Sequence, residues 1–198
     1  MEKKGMKKDG TEKPKRIYFA TGNKHKFAEV KEIFDSFGIE LVQSDVKPEE
    51  DKSKSIQEIA KHSAKQAAEE LNAPAIADDT GIYFIAMGDW PGNSPKDVFE
   101  KVGYEGLLKA LEGKTREAYF ETAAAYCAPG EDPVVFTGRM PGRITKEVFG
   151  INRDVMPYER IFVPEGQEQA IVFIPEVKKK ISHRVKAFRK VAEHIAKA

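Results

Sequence analysis

The feature that most constrains this chain is an alternation of period. Short apolar runs of strand type repeatedly give way to longer segments whose apolar residues recur at three- and four-residue steps. The first run, Arg16-Ile17-Tyr18-Phe19-Ala20, stops at Thr21-Gly22-Asn23, and Phe27, Val30, Ile33, Phe34 and Phe37 then follow at helical spacing over 24–37. Gly38 closes that helix, and 39–43 reads as a second strand. After a charged loop at 44–54, Ser55 and Glu58 have the capping-box spacing that opens a helix to Leu71. Asn72-Ala73-Pro74 stops it, and Ala75-Ile76-Ala77 is a strand ending at Asp78-Asp79-Thr80-Gly81.

Further along, 95–112 reads as a helix that Gly103 can split, and 117–128 with 134–144 as two long strands around Pro129-Gly130-Glu131-Asp132. Residues 145–160 are irregular, 161–163 and 171–174 are short strand candidates, and 182–198 is a final helix. Strands alternating with helices, plus one hairpin-like insertion, specify an α/β protein with a mixed sheet. Residues 1–15, mostly Lys, Glu and Gly, read as a disordered, mildly basic tail before a single domain over 16–198.

Charge narrows the search for a ligand. Lys and Arg number 33 against 32 Asp and Glu, so no global field favours nucleic acid or a membrane surface, and the ligand must be sought in a local site. Cys127 is the only cysteine, which excludes an internal disulfide and a cysteine-rich zinc site; within the apolar stretch 122–128 it reads as a buried strand residue. No apolar run approaches membrane-span length and no apolar signal core is visible, so a soluble, cytoplasmic protein is expected.

Three constellations carry chemistry. In Thr21-Gly22-Asn23-Lys24-His25-Lys26, glycine permits a tight turn and the first helix N–H groups face outward, so phosphate is a natural guest; an ordinary turn capped by Asn23 is the bland reading. The adjacent carboxylates Asp78 and Asp79 can divide their work between a metal and a water, or be a plain turn pair. The acidic run Glu49-Glu50-Asp51 can add a metal ligand or be a solvated loop. In Lys178-Lys179-Lys180-Ile181-Ser182-His183-Arg184, Ser182 can cap the last helix. Cations in its first turn oppose the helix dipole, which points to a bound anion or carbonyl unless the run is merely surface charge. His25, His62 and His194 lie on charged helices and are expected to face solvent.

Taken in order, these segments resemble the inosine/xanthosine triphosphate pyrophosphatase family, from about Arg16 to the last helix. Trp90-Pro91-Gly92, Phe136-Thr137-Gly138 and Phe162-Val163-Pro164-Glu165-Gly166 add weaker support. The resemblance implies an elongated mixed sheet with flanking helices forming two lobes around a central cleft, a homodimer, and Mg²⁺-dependent release of pyrophosphate from a non-standard purine nucleoside triphosphate. By position, Thr21, Gly22, Asn23 and Lys26 would hold the triphosphate and Asp79 would be the general base. Asp78 with Glu50 or Asp51 would hold Mg²⁺, and Tyr158, Glu159, Lys178, His183 and Arg184 would line the pocket for base and phosphate.

The match is uneven. Where the family's base-clamp loop reads approximately Gly-Phe-Gly-Tyr-Asp-Pro, this chain has Val155-Met156-Pro157-Tyr158-Glu159-Arg160. Ser94-Pro95 stands for a Tyr-Ser, Gln169-Ala170-Ile171-Val172 for a Thr-x-Ala-Glu, and Ser63 for a helix lysine, with Lys65 nearby. Two other readings therefore stand beside the first: a nucleotide-binding protein with little turnover, and a pyrophosphatase of different base preference.

Overall fold

The computed structural model describes residues 15–197, so the expectation for the N-terminal tail lies, apart from Lys15, outside the described residues. Strand β1 (Arg16–Ala20) is flanked in parallel by β2 (Glu40–Ser44) and by the start of β3 (Ala75–Phe84). The crossovers are α1 (Lys24–Asp35) and α2 (Ile56–Leu71). Because side chains alternate across a strand, Ile17 and Phe19 pack with α1 while Tyr18 and Ala20 face the α2 side. Asn23 caps α1, and Ser55 with Glu58 forms the capping box of α2.

Beyond β3 the sheet becomes antiparallel. The long hairpin of β5 (Glu117–Cys127) and β6 (Val134–Ile144) pairs along the whole of β3, from Ala75↔Cys127 to Phe84↔Ala118. Short strands β4 (Trp90–Gly92) and β7 (Phe162–Pro164) pair with the ends of β3 and β6. The sheet order is β2-β1-β3-β5-β6-β7, with β4 beside β3.

Two cores sit at the two ends of this sheet. In the first lobe, Phe19, Phe34 and Phe188 fill the space between the sheet, α1 and α5 (His183–Lys197). On the opposite face, alanines of α2 (Ala60, Ala64, Ala67, Ala68) meet alanines of β3 and β5, and small residues let the helix approach closely. In the second lobe, Ile82, Phe84, Phe120, Met140 and Phe162 pack under Leu107 and Leu111, at and just after the end of α3 (Pro95–Ala110). As expected, α3 breaks at Gly103, whose φ of 60° suits glycine. On the other face of this lobe Tyr83 stacks on Tyr119 at 4.7 Å and Arg139 lies 4.0 Å over Tyr119.

Several expectations need correction. Residues 171–174 are not a strand: Ile171–Phe173 is a 3-10 turn, and Pro175 then opens a short helix, α4 (Pro175–Ile181), that precedes α5. Ser182 separates the two helices and accepts a hydrogen bond from the Val185 N–H at 3.2 Å, which is the expected cap. His194 is half-exposed, with one side of its ring against Tyr126 and Phe136, whereas His62 is exposed and Cys127 is buried as expected. Along β6, Lys186 and Lys190 of α5 donate to the carbonyls of Arg139 and Thr137, each at 2.8 Å. No helix among the described residues is long and apolar enough to cross a membrane.

Candidate active site

The edge of β3 that faces away from β5 is covered at both ends and open between them. β1 pairs with it at Ala75 and Ile76, and β4 at Ile82, Tyr83 and Phe84. Asp78, Asp79 and Thr80 fall in the gap, beside the loop at which β1 turns into α1. The pair is therefore not at a strand end, as its turn-like composition suggested, but in the middle of a ten-residue strand. The continuous β3–β5 ladder and the buried Ile82 and Phe84 outweigh the local turn preference. Gly81 serves packing here: a Cβ would meet the Tyr83 ring at 2.5 Å.

Adjacent strand residues point to opposite faces, so the two carboxylates part company. Asp78 faces α1 and α5. Lys26 lies 3.0 Å from its Oδ2, Thr80 donates to the same oxygen at 3.1 Å, and Arg184 Nε is 3.8 Å away. Burial pushes this carboxyl up, but the Lys26 and Arg184 cations outweigh it and hold Asp78 below the usual carboxylate range. Arg184, only 2% exposed at its side chain, gives NH1 to Glu29 at 2.7 Å; Lys178 joins Glu29 and meets Glu159 at 2.6 Å. Burial lowers the Arg184 pKa and Glu29 with Asp78 more than restore it, so the guanidinium stays charged.

His183 completes this face. Its ring stacks on Phe120 at 4.6 Å and 8°, and burial followed by the neighbouring Arg184 and Lys178 charges drives its pKa well below normal, leaving a neutral imidazole. The helix end sits this low because β6 carries Gly138 beneath it: a Cβ there would lie 2.2 Å from the His183 carbonyl. A cavity of about 370 Å³ opens between α1, α4 and α5, walled in part by Glu29, Glu159, Lys178 and Val155. A second cavity, about 460 Å³ between Arg143, Phe149 and Phe173, has none of these charges in its wall.

Asp79 faces the α2 side and has few partners. Burial raises its pKa to about 6, against the pull of Lys52 and Lys26 and helped by Asp78 and Glu50. Lys52 approaches its Oδ1 at 3.4 Å and Glu50 Oε2 at 2.7 Å. Among the described residues, the buried side-chain atoms without a hydrogen-bond partner are Asp79 Oδ2, His183 Nδ1 and Arg184 Nε. All three belong to this one region. Buried polar atoms are almost always paired, so their coincidence marks a place shaped for something polar that binds there.

The structure brings together Lys26, Asp78, Asp79, Glu159, Lys178, His183 and Arg184. Asn23 has a double duty to explain: its Oδ1 accepts from the His25 and Lys26 N–H groups at 3.0 and 3.2 Å, which is the capping reading, while the loop still opens towards Asp78. Thr21 Oγ1 accepts from the Asn23 N–H at 3.3 Å. Gly22 does not occupy the left-handed region and a Cβ there would meet nothing within 4 Å, so the turn itself does not demand glycine. Tyr158 is a correction. Its ring is buried in the second-lobe core near Phe99, and its hydroxyl donates to the Pro95 carbonyl at 2.9 Å, so it anchors the loop instead of lining the pocket. Arg160 likewise ties the loop, donating to the Gly150 carbonyl and to the Tyr104 hydroxyl. His25 is half-exposed, 3.3 Å from Asp154.

Asp51 turns to Ser53, accepting from its N–H and hydroxyl, and Glu50 is the acidic residue that reaches Asp79 through Lys52. Among the described residues no three His, Cys, Asp or Glu side chains converge as a metal cage. Two carboxylates, one with a free buried oxygen, nevertheless fit a magnesium ion, which takes one or two carboxylates and completes its shell from phosphates and water. Sequence reasoning missed Glu29 and Lys52. Glu29 stands one helical turn after Lys26 on the same face of α1, and that spacing is the signal; Lys52 was hidden in a run of charges.

A sheet interrupted beside a cluster of buried cations and carboxylates, with an incompletely paired carboxylate at the break, fits an enzyme of the class that works on phosphorylated ligands. The chain belongs to the Ham1 family, whose model matches residues 17–194. It is 41% identical to the dITP/XTP pyrophosphatase of Methanopyrus kandleri over 180 residues, covering 90% of this chain and 95% of that one. It is 39% identical to the dITP/XTP pyrophosphatase of Methanosarcina mazei, covering 87% and 92%. Among solved structures, the Ham1 protein of Coxiella burnetii superposes with a TM-score of 0.78 at 27% identity, covering 93% of this chain and all of that one.

Proposed function

We propose that this chain hydrolyses non-standard purine nucleoside triphosphates such as dITP and XTP to the monophosphate and pyrophosphate, with Mg²⁺ as cofactor. The observation that carries the reading is the free, buried Oδ2 of Asp79 beside a cluster of cations, in a chain whose relatives bear that activity in their names. With a pKa of about 6, Asp79 is mostly ionised at neutral pH and basic enough to take a proton from water. The water oxygen bonds to the α-phosphorus, the bond to the pyrophosphate oxygen breaks, and the water proton goes to Asp79. Lys26 meets the polyphosphate, with Thr21, Gly22 and Asn23 on the loop beside it. A bound Mg²⁺, which Asp78 and Glu50 would hold with the free oxygen of Asp79 turned to the same place, would supply charge neutralisation for the phosphates.

On the other face, the unpaired Arg184 Nε–H is a donor for the 6-keto oxygen of hypoxanthine or xanthine. Adenine would place its amino donor against that N–H, a mismatch costly at a buried site. A homodimer in the cytoplasm, where nucleotide pools lie, is part of this reading. The test is pyrophosphate release from dITP, XTP, dATP and dCTP with Mg²⁺. The 6-keto purines should be turned over at least about 100-fold more efficiently than dATP; binding without release would instead mark a nucleotide-binding protein.

A further inference from the structure

The cation found between Glu50 and Asp79 belongs to the chain itself. Lys52 lies on the loop between β2 and α2, its ammonium 2.7 Å from Glu50 Oε2 and 3.4 Å from Asp79 Oδ1. The position is built. Asn93, just after β4, donates its side-chain amide to the carbonyls of Lys52 at 3.1 Å and Lys54 at 2.8 Å, fastening the loop across the gap in the sheet. Asn93 holds the backbone, while the Lys52 side chain is held by Glu50 and Asp79 alone and remains 35% exposed. Glu50, Asp78 and Asp79 together are a concentration of negative charge that needs a cation whether or not a ligand is present.

We propose that Lys52 is a resident counter-ion, which holds Glu50 and Asp79 in place while the cleft is empty and yields its position to the divalent cation arriving with the triphosphate. The inference rests on the pyrophosphatase reading for the identity of that cation. A bare metal ion must displace an ammonium that then has no anionic partner, and this cost weakens its binding to the nucleotide-free protein. A metal accompanied by phosphates offers the displaced ammonium new anionic partners. Metal and nucleotide binding are therefore coupled, and by linkage each strengthens the other equally.

Mn²⁺ titrated into the nucleotide-free protein, with free Mn²⁺ read by electron paramagnetic resonance, tests this without any turnover. Lys52→Gln should tighten Mn²⁺ binding by about tenfold, since one positive charge leaves the immediate site. Lys52→Met should do the same, and serves if the glutamine variant folds poorly. Lys52→Arg should stay as weak as wild type. Lys54→Gln removes the same charge from an exposed neighbour and should leave Mn²⁺ binding unchanged. Unaltered or weaker binding in both neutral variants at 52 would overturn the proposal, as would equal tightening in Lys54→Gln. A wild-type protein that fails to release pyrophosphate from dITP would overturn the functional reading alone, because the Mn²⁺ series is read independently.

Discussion

The two faces of β3 handle the same problem, a buried carboxylate, in opposite ways. On the face towards α1 and α5, Asp78 has Lys26, Thr80 and Arg184 around it, and Arg184 and Lys178 are tied in turn to Glu29 and Glu159. On the other, Asp79 has one long contact to a partly exposed ammonium and an oxygen with no partner. A carboxylate held between several cations stays ionised and in place; an underpaired one stays basic. One strand therefore supplies both recognition and reactivity, because alternation turns Asp79 away from Arg184 and the remaining pull of Lys52 and Lys26 does not offset its burial.

The largest expected effect separates the faces by chemistry. Asp79→Asn keeps the shape and removes the base, so kcat for dITP should fall by about 10³-fold. Near-normal turnover would end the assignment of the base to this face. Next, stability should divide the faces the other way. Arg184→Met strands Glu29 and Asp78 in the interior and should cost about 3 kcal/mol in urea unfolding, whereas Lys52→Gln, at a half-open site, should cost under about 1 kcal/mol. Equal costs would mean that the paired face is no more built than the other.

The smallest effect sharpens the contrast through pH. Asp79 has a raised folded pKa, so between about pH 4 and about pH 6 the native state holds a proton that the unfolded chain has lost. Stability from this group is present at low pH and is lost as pH rises through about 6. In metal-free buffer, Asp79→Asn should thus gain on wild type by about 2 kcal/mol between pH 4 and pH 7.5. Asp78 and Glu29 have lowered values and pull the other way, losing stability as pH falls, which is why the difference between variant and wild type is the quantity to measure.

Much of this was legible from the chain. The helix starts at Asn23 and Ser55, the split at Gly103 and the long hairpin of β5 and β6 follow from local rules, because capping and turn chemistry act between near neighbours. The motif residues Lys26, Asp78, Asp79, His183 and Arg184 also stood out. What escaped depends on distant partners. Asp78-Asp79-Thr80-Gly81 has turn composition, and only pairing with β5 keeps it extended. Ile171–Phe173 is apolar enough for a strand but is buried as a 3-10 turn leading to Pro175. Tyr158 matches a pocket motif, yet its ring fills the second-lobe core. Glu29 acquires meaning only when α5 brings Arg184 to it across the fold.

The two lysines that α5 extends to β6 have a bearing beyond the pocket. Past its short pairing with β7, β6 runs along the margin of the sheet, and a bare margin of this kind is a template onto which a stray extended peptide can zip. Lys186 and Lys190 occupy the carbonyls of Arg139 and Thr137 there, filling the acceptors such a peptide would need and surrounding them with positive charge. The helix that carries the pocket's arginine thus also covers part of an edge strand, and a chain that lost the helix would lose both at once.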